Sequence, residues 1–207
     1  MAVAQLLDSV NTYYTGRLRQ FGPTPRGVDW NSVESQRLRF TQLLRLCDRS
    51  QRFVLGDYGC GYGALYDELR QGGYDCEYRG FDISESMLHA ARERCRSDDC
   101  LRFESCDSAL AGADYVVASG IFNVKLQSAL TEWEPYVLAT IDRLAELSTR
   151  GFAFNALTSY ADPERMRADL YYADPCRLFD YCKRRHSRHV ALAHDYGLYE
   201  FTILVRR

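Results

Sequence analysis

The residues in this chain whose types and spacing could do chemistry are three acids and a run of glycines. In Val54-Leu-Gly-Asp57-Tyr58-Gly59-Cys60-Gly61-Tyr-Gly63-Ala64 an apolar run meets three alternating glycines and then a helix-like stretch. Glycine suits that place because the chain must reverse tightly, tolerate positive φ and bring backbone N–H groups against a ligand with no Cβ between. Asp57 closes the apolar run, where a carboxylate would meet a cationic amino group and repel a pyrophosphate. Asp82, in Phe81-Asp82-Ile83-Ser84, follows Gly63 by nineteen residues and would accept hydrogen bonds from both hydroxyls of a ribose. Asp107, in Cys106-Asp107-Ser108, would accept from an adenine amino group.

These residues need strands to carry them. Apolar, β-branched and aromatic runs predict strands over 53–58, 76–82, 101–106, 113–119, 151–157, 189–194 and 198–205, and 3.6-residue periodicity predicts helices over 63–71, 84–96, 132–148 and 163–184. Strand and helix in alternation imply a parallel sheet covered on both faces. The last two strands are separated only by Asp195-Tyr196-Gly197, which forces a hairpin and one antiparallel strand. All three acids then stand at strand ends around one crevice. Residues 1–20 look helical, Phe21-Gly-Pro23-Thr-Pro25-Arg26-Gly27 breaks regular structure, and Asn31-Ser32 opens a second, amphipathic helix. The expected division is a helical cover over 1–50 and a cofactor-binding unit over 51–207.

Gly59-Cys-Gly61-Tyr-Gly63-Ala64 also fits the loose dinucleotide fingerprint, so the turn alone leaves NAD open. The acids shift the balance. Here the chain resembles the class I S-adenosylmethionine-dependent methyltransferases of small-molecule type, over roughly 53–207. Asp57 to Gly63 is similar to that family's first motif, Asp82-Ile83-Ser84 to its ribose-binding acidic loop, Cys106-Asp107-Ser108 to its adenine-binding loop, and Asp114-Tyr-Val-Val-Ala118-Ser119-Gly120-Ile121-Phe122 to its fourth-strand motif. The resemblance implies a Rossmann-like α/β fold with a seven-stranded, mostly parallel sheet of order 3-2-1-4-5-7-6, strand 7 antiparallel and helices on both faces. It implies S-adenosylmethionine as cofactor and S-adenosylhomocysteine as product, bound by Asp57, Tyr58, Gly59, Cys60, Gly61, Asp82, Ile83, Met87, Cys106, Asp107, Ser108, Ser119 and Gly120. The donor's own chemistry agrees, since its ammonium and ribose call for carboxylates and its carboxylate calls for backbone N–H groups.

Each residue also has a plainer reading. Asp82 and Asp107 suit helix and turn caps, Cys60 fits the turn by size alone, and Met87 with Leu88 forms one helix face. His194, at a strand end beside Asp195, is the candidate general base, against the alternative of a satisfied strand-end histidine. Tyrosines beside Gly/Pro-rich connections suit a lid over a sulfonium, because ring faces attract cations and exclude water. Tyr14, Arg26 and Trp30 are the lid candidates, and Asn155, Tyr172 and Tyr196 the candidates for the acceptor wall. An oxygen or nitrogen atom of a small molecule is the expected acceptor.

Alternatives stay open in other classes. An RNA methyltransferase is disfavoured by the missing Asn/Asp-Pro-Pro-aromatic pattern after the fourth strand. Neither lysine, Lys125 nor Lys183, follows a tyrosine by four residues, which disfavours a short-chain dehydrogenase. A non-catalytic scaffold is the third. Net charge of −2 and pI near 6.1 give no global attraction to nucleic acid. His89, His186, His189 and His194 show no zinc-ligand spacing with the cysteines, so no metal is expected. Eight cysteines without a C-x-x-C pair, together with the lack of a basic leader or a bilayer-length apolar run, predict a cytoplasmic protein with no membrane partner. Oligomeric state stays open.

Overall fold

The computed structural model describes residues 3–95 and 101–207. Residues 1–2 of the N-terminal stretch, the last residue of the helix expected over 84–96, and Cys100 lie outside them. Seven strands form one sheet of order β3-β2-β1-β4-β5-β7-β6. They are β1 (Phe53–Tyr58), β2 (Cys76–Phe81), β3 (Leu101–Glu104), β4 (Ala113–Ala118), β5 (Ser148–Leu157), β6 (His189–Ala193) and β7 (Glu200–Arg206). β1 to β5 pair in parallel, and β7 runs antiparallel to both β5 and β6. This is the expected Rossmann-like topology.

Among the described residues six α-helices accompany the sheet: α1 (Val3–Phe21), α2 (Val33–Leu44), α3 (Ala64–Gln71), α4 (Glu85–Arg94), α5 (Leu130–Leu147) and α6 (Pro175–Arg185). Successive strand residues face opposite layers, as the pleat requires. Val116, Phe152 and Ile203 join Trp133, Ile141 and Leu178 in one buried layer, and Tyr115, Val117 and Leu204 join Leu43, Leu65 and Leu88 in the other. A sheet dry on both faces explains why its central strands read as continuous apolar runs. Strand order reverses between β1 and β4, and a crevice outside the strand ends at such a reversal is where α/β sheets bind ligands.

The helix expected over 163–184 is corrected. Pro163–Arg165 form a 3-10 turn, the following segment bridges Val124 to Leu170 and Thr158 to Ala173, and helix begins only at Pro175. Proline has no N–H and clashes with the turn before it, so Pro175 fits the first helical position. Asp174 caps that end by accepting from the N–H groups of Cys176 and Arg177 at 2.8 and 3.1 Å. β5 starts at Ser148, ahead of the expected 151. No helix among the described residues is long and apolar enough to cross a membrane.

Candidate active site

A cavity of about 410 Å³ lies at the carboxyl ends of β1, β2 and β4. Its floor is the glycine turn after β1. Gly59, Gly61 and Gly63 take φ of 79°, 55° and 79°, the left-handed region that side chains resist, and Gly63 opens α3. A Cβ at Gly59 would collide with Ile121. The N–H groups of Gly59 and Cys60 are used on the carbonyl of Phe81, at 2.8 and 2.9 Å, which ties the turn to β2.

Asp57 lies at the end of β1, buried, and Tyr78 of β2 donates to its Oδ2 at 2.6 Å. Burial raises its pKa to about 7, the Tyr78 hydrogen bond opposing and Asp82 assisting. Asp82 caps two backbone groups at once: its Oδ2 accepts from Gly61 N–H at 2.8 Å and its Oδ1 from Ser84 N–H at 2.9 Å. It lines the cavity, and burial raises its pKa to about 6 against those two donors. Each of its oxygens retains a second lone pair. The N-terminus of α4 is capped by Ser84, whose Oγ accepts from Met87 N–H.

The third acid is held differently. Asp107 borders the cavity, but both its oxygens are engaged by Arg143 of α5, Nε to Oδ2 at 2.8 Å and a terminal nitrogen to Oδ1 at 3.0 Å. Sequence reading had no signal for Arg143, which stands thirty-six residues further along the chain. Cys106 lines the cavity and its Sγ meets Ser108 Oγ at 3.0 Å; Ser108 itself stands off the wall, and the neighbouring Ser105 lines it instead. Tyr58, Cys60, Ile83, Met87, Ser119 and Gly120 all line the cavity.

The N-terminal helices supply the far wall. α1 contributes Leu7, Val10, Asn11 and Tyr14, the stretch between α1 and α2 contributes Val28 and Trp30, and α2 contributes Gln36 and Phe40. Thr15 of α1 meets Ser84 of α4 at 3.2 Å between their hydroxyl oxygens, which seats the helix across the strand ends. Only Tyr14 and Trp30 of this wall were singled out from sequence. Their neighbours carried only apolar periodicity, which a covering helix and a cavity-lining helix share.

Five sequence candidates are corrected. Arg26 is exposed and off the wall, its backbone carbonyl accepting from Arg17 at 3.0 Å. Asn155 is fully buried behind the cavity, where its Oδ1 accepts from Gly120 N–H at 2.7 Å and its Nδ2 donates to Ser119 Oγ at 3.3 Å. It shapes the turn after β4 and touches no ligand space. The hydroxyl of Tyr172 accepts from Arg167 N–H at 3.0 Å, and that of Tyr196 meets Thr202 Oγ1 at 3.0 Å, both away from the cavity. His194 is exposed, its ring beside Tyr160 and Phe201, so it has no reach to a reacting atom in the cavity. The β6–β7 hairpin turns at the same carboxyl edge of the sheet as the crevice but beyond β5, and neither His194 nor Tyr196 lines the cavity.

Asn155→Ala is expected to lower the melting temperature by several degrees, because orphaning the buried Gly120 N–H costs about 1–3 kcal/mol. Thermal unfolding followed by circular dichroism checks this; an unchanged transition would mean that the turn holds without it.

A family model described as a methyltransferase domain matches residues 57–149. A Mycobacterium tuberculosis (strain ATCC 25618 / H37Rv) protein named "Putative methyltransferase Rv1506c" is 53% identical over 164 residues, covering 79% of this chain and 99% of that one. Among solved structures, human N-acetylserotonin methyltransferase in complex with SAM aligns with TM-score 0.66 and 15% identity over 100% of this chain, which spans only 60% of that longer protein. The N-methyltransferase NodS from Bradyrhizobium japonicum WM9, in complex with S-adenosyl-L-homocysteine, aligns with TM-score 0.63 and 18% identity, covering 94% of this chain and 97% of that one. At such identities the structures speak for the fold, whereas the mycobacterial relative speaks for descent. The chain belongs to the class I S-adenosylmethionine-dependent methyltransferases.

Proposed function

We propose that this enzyme transfers the methyl group of S-adenosylmethionine to an oxygen or nitrogen atom of a small molecule enclosed beneath α1 and α2. One observation carries the reading: two carboxylates, Asp57 and Asp82, face a single cavity that the N-terminal helices wall off. Asp57 would take the donor's ammonium and Asp82 the ribose hydroxyls, above a glycine turn whose N–H groups at Gly59, Cys60 and Gly61 already serve Phe81 and Asp82. Ile83, Met87 and Cys106 would flank the adenine, with Asp107 bordering it while ion-paired to Arg143. Residues 1–50 act as a lid on the unit formed by 51–207, with Tyr14, Trp30 and Phe40 its cavity-facing aromatics. A chamber of about 410 Å³, in the range of roughly 300–1,000 Å³ usual for small-ligand sites, suits enclosed reactants better than a polymer. Free thiols at all seven described cysteines fit a cytoplasmic setting.

The mechanism asks little covalent work of the chain. Methyl transfer is an in-line displacement in which the sulfonium charge disperses as the acceptor attacks. Positioning and exclusion of water lower its barrier without an enzyme-bound intermediate. Among the described residues lining the cavity there is no histidine, lysine or arginine. The test is turnover of methyl-labelled S-adenosylmethionine with a panel of small hydroxyl and amine acceptors beside bulk tRNA. Labelled small-molecule product is expected; label confined to RNA would move the acceptor to nucleic acid.

Binding should depend on pH through Asp57. Its folded-state pKa of about 7 lies above the ordinary 3.8, so the empty fold binds a proton that the unfolded chain has lost. This contribution to stability is fully present below about pH 4 and is lost as pH rises towards 7. An ammonium at Asp57 needs the charged form, so affinity runs the other way. S-adenosylhomocysteine is expected to bind about thirtyfold more weakly at about pH 5.5 than at about pH 8, since one unit of pKa is about tenfold. Calorimetry across that range checks it, with Asp57→Asn expected to remove this component and leave the smaller one from Asp82, whose pKa of about 6 lies in the same range.

A further inference from the structure

We infer that a buried ion pair between Arg39 and Glu200 is the positioning element that holds Trp30 against the cavity and thereby sets cofactor affinity. The inference rests on the cavity being the cofactor site. Arg39 of α2 and Glu200, the first residue of β7, lie far apart in sequence, and both side chains are buried, 8% and 1% exposed. Nε and a terminal nitrogen of Arg39 donate to the two oxygens of Glu200 at 2.7 and 2.9 Å, a bidentate fork. The other terminal nitrogen donates to Ser35 carbonyl at 2.7 Å. Every direction in the guanidinium plane is thereby constrained.

What the fork orients is the face of the guanidinium. Its central carbon lies 4.0 Å from the centroid of the half-buried Trp30 ring, a cation–π stack. The outer edge of the same ring lies over Gly120, where φ is +73° and an added Cβ would overlap its six-membered part. Trp30 and Gly120 both line the cavity. Glu200 reaches the same turn by a second route: Asn123 Nδ2 donates to its Oε1 at 3.4 Å, while Asn123 Oδ1 accepts from Leu157 N–H and its carbonyl from Tyr171 N–H. One carboxylate thus fixes the ring on the cover and the turn after β4 on which the ring rests.

A pair buried this deeply pays heavily in lost hydration, and replacing such pairs with apolar residues is often neutral or stabilising. Stability therefore does not explain it, whereas orientation does. Lysine would keep the charge at position 39 and lose the planar fork and the flat stacking face.

The test uses the full chain labelled with 5-fluorotryptophan, whose two resonances, from Trp30 and Trp133, are assigned with Trp30→Phe. Arg39→Met combined with Glu200→Gln removes both charges together and leaves neither stranded. This double variant is expected to unfold at a temperature near that of wild type, with the Trp30 resonance shifted or broadened, the Trp133 resonance in place, and S-adenosylhomocysteine affinity down about tenfold. Gly120→Ala is expected to move the Trp30 resonance in the same way with the ion pair intact. Arg39→Lys serves should the double variant fail to fold, with the same displacement of Trp30 expected. A folded variant with wild-type affinity and an unmoved Trp30 resonance would overturn the inference. Failure of the wild type to bind S-adenosylhomocysteine would instead overturn the cofactor assignment, and the ligand-free Trp30 resonance would still decide whether the pair positions the ring.

Discussion

Asp82→Ala is expected to weaken S-adenosylhomocysteine binding at least about a hundredfold, through the loss of two charge-assisted hydrogen bonds, each worth about 1.5 kcal/mol at the lower end of the usual range. The carboxylate already holds the N–H groups of Gly61 and Ser84, one on each oxygen, with the remaining lone pairs open to the cavity. Removing it strips the ribose of its partners and leaves Gly61 N–H, at the centre of the glycine turn, without an acceptor. The fold should survive, because α4 keeps its cap at Ser84 and both core layers lie elsewhere. Asp82→Asn offers a single acceptor oxygen, enough for one of the two backbone groups, and an intermediate loss of about tenfold is expected. Calorimetric titration of all three proteins checks the order. An alanine variant within threefold of wild type would remove Asp82 from the ribose pole.

Much of this site could be read before the structure because its chemistry is local in sequence. A turn of alternating glycines and an acid closing each strand need no long-range information, and alternation of strand with helix places them together. The β6–β7 hairpin was legible for the same reason, as so short a connection permits nothing else, although it spans the six residues 194–199 and not the expected three. What escaped was set by distant partners. Arg143 pairs with Asp107, Asn155 with Gly120 and Glu200 with Arg39, each across an interval in which no spacing rule operates. The expected helix over 163–184 failed because charged and aromatic residues there mimic amphipathic periodicity, while the start encoded by Asp174-Pro175 is a single local signal. His194 misled by type: a histidine at a strand end resembles a base until the hairpin is seen to turn it outward.

Trp133→Ala should have the largest effect on stability, lowering it by about 4 kcal/mol, as large aromatic truncations in cores cost about 3–5 kcal/mol. The side chain is fully buried in the layer between α5 and the sheet, and its Nε1 donates to the carbonyl of Phe122 at 3.0 Å. For a chain of this length such a loss corresponds to a drop of roughly 8–16 °C in melting temperature, read by calorimetry. The effect should also reach the cavity. Phe122 belongs to the turn that presents Ser119 and Gly120, and Tyr136, whose ring centroid lies 5.1 Å from that of Trp133, lines the cavity from α5. Trp133→Phe divides the two contributions: most of the buried ring remains, the donor to Phe122 goes, and a loss nearer 1–2 kcal/mol is expected from one unsatisfied carbonyl. A melting temperature within about 4 °C of wild type for the alanine variant would show that the core refills the space. The same variant retaining full S-adenosylhomocysteine affinity would show that the ties to β5 and β7 suffice to anchor the turn, through Asn155 on Ser119 and Gly120 and through Asn123 on Leu157 and Glu200.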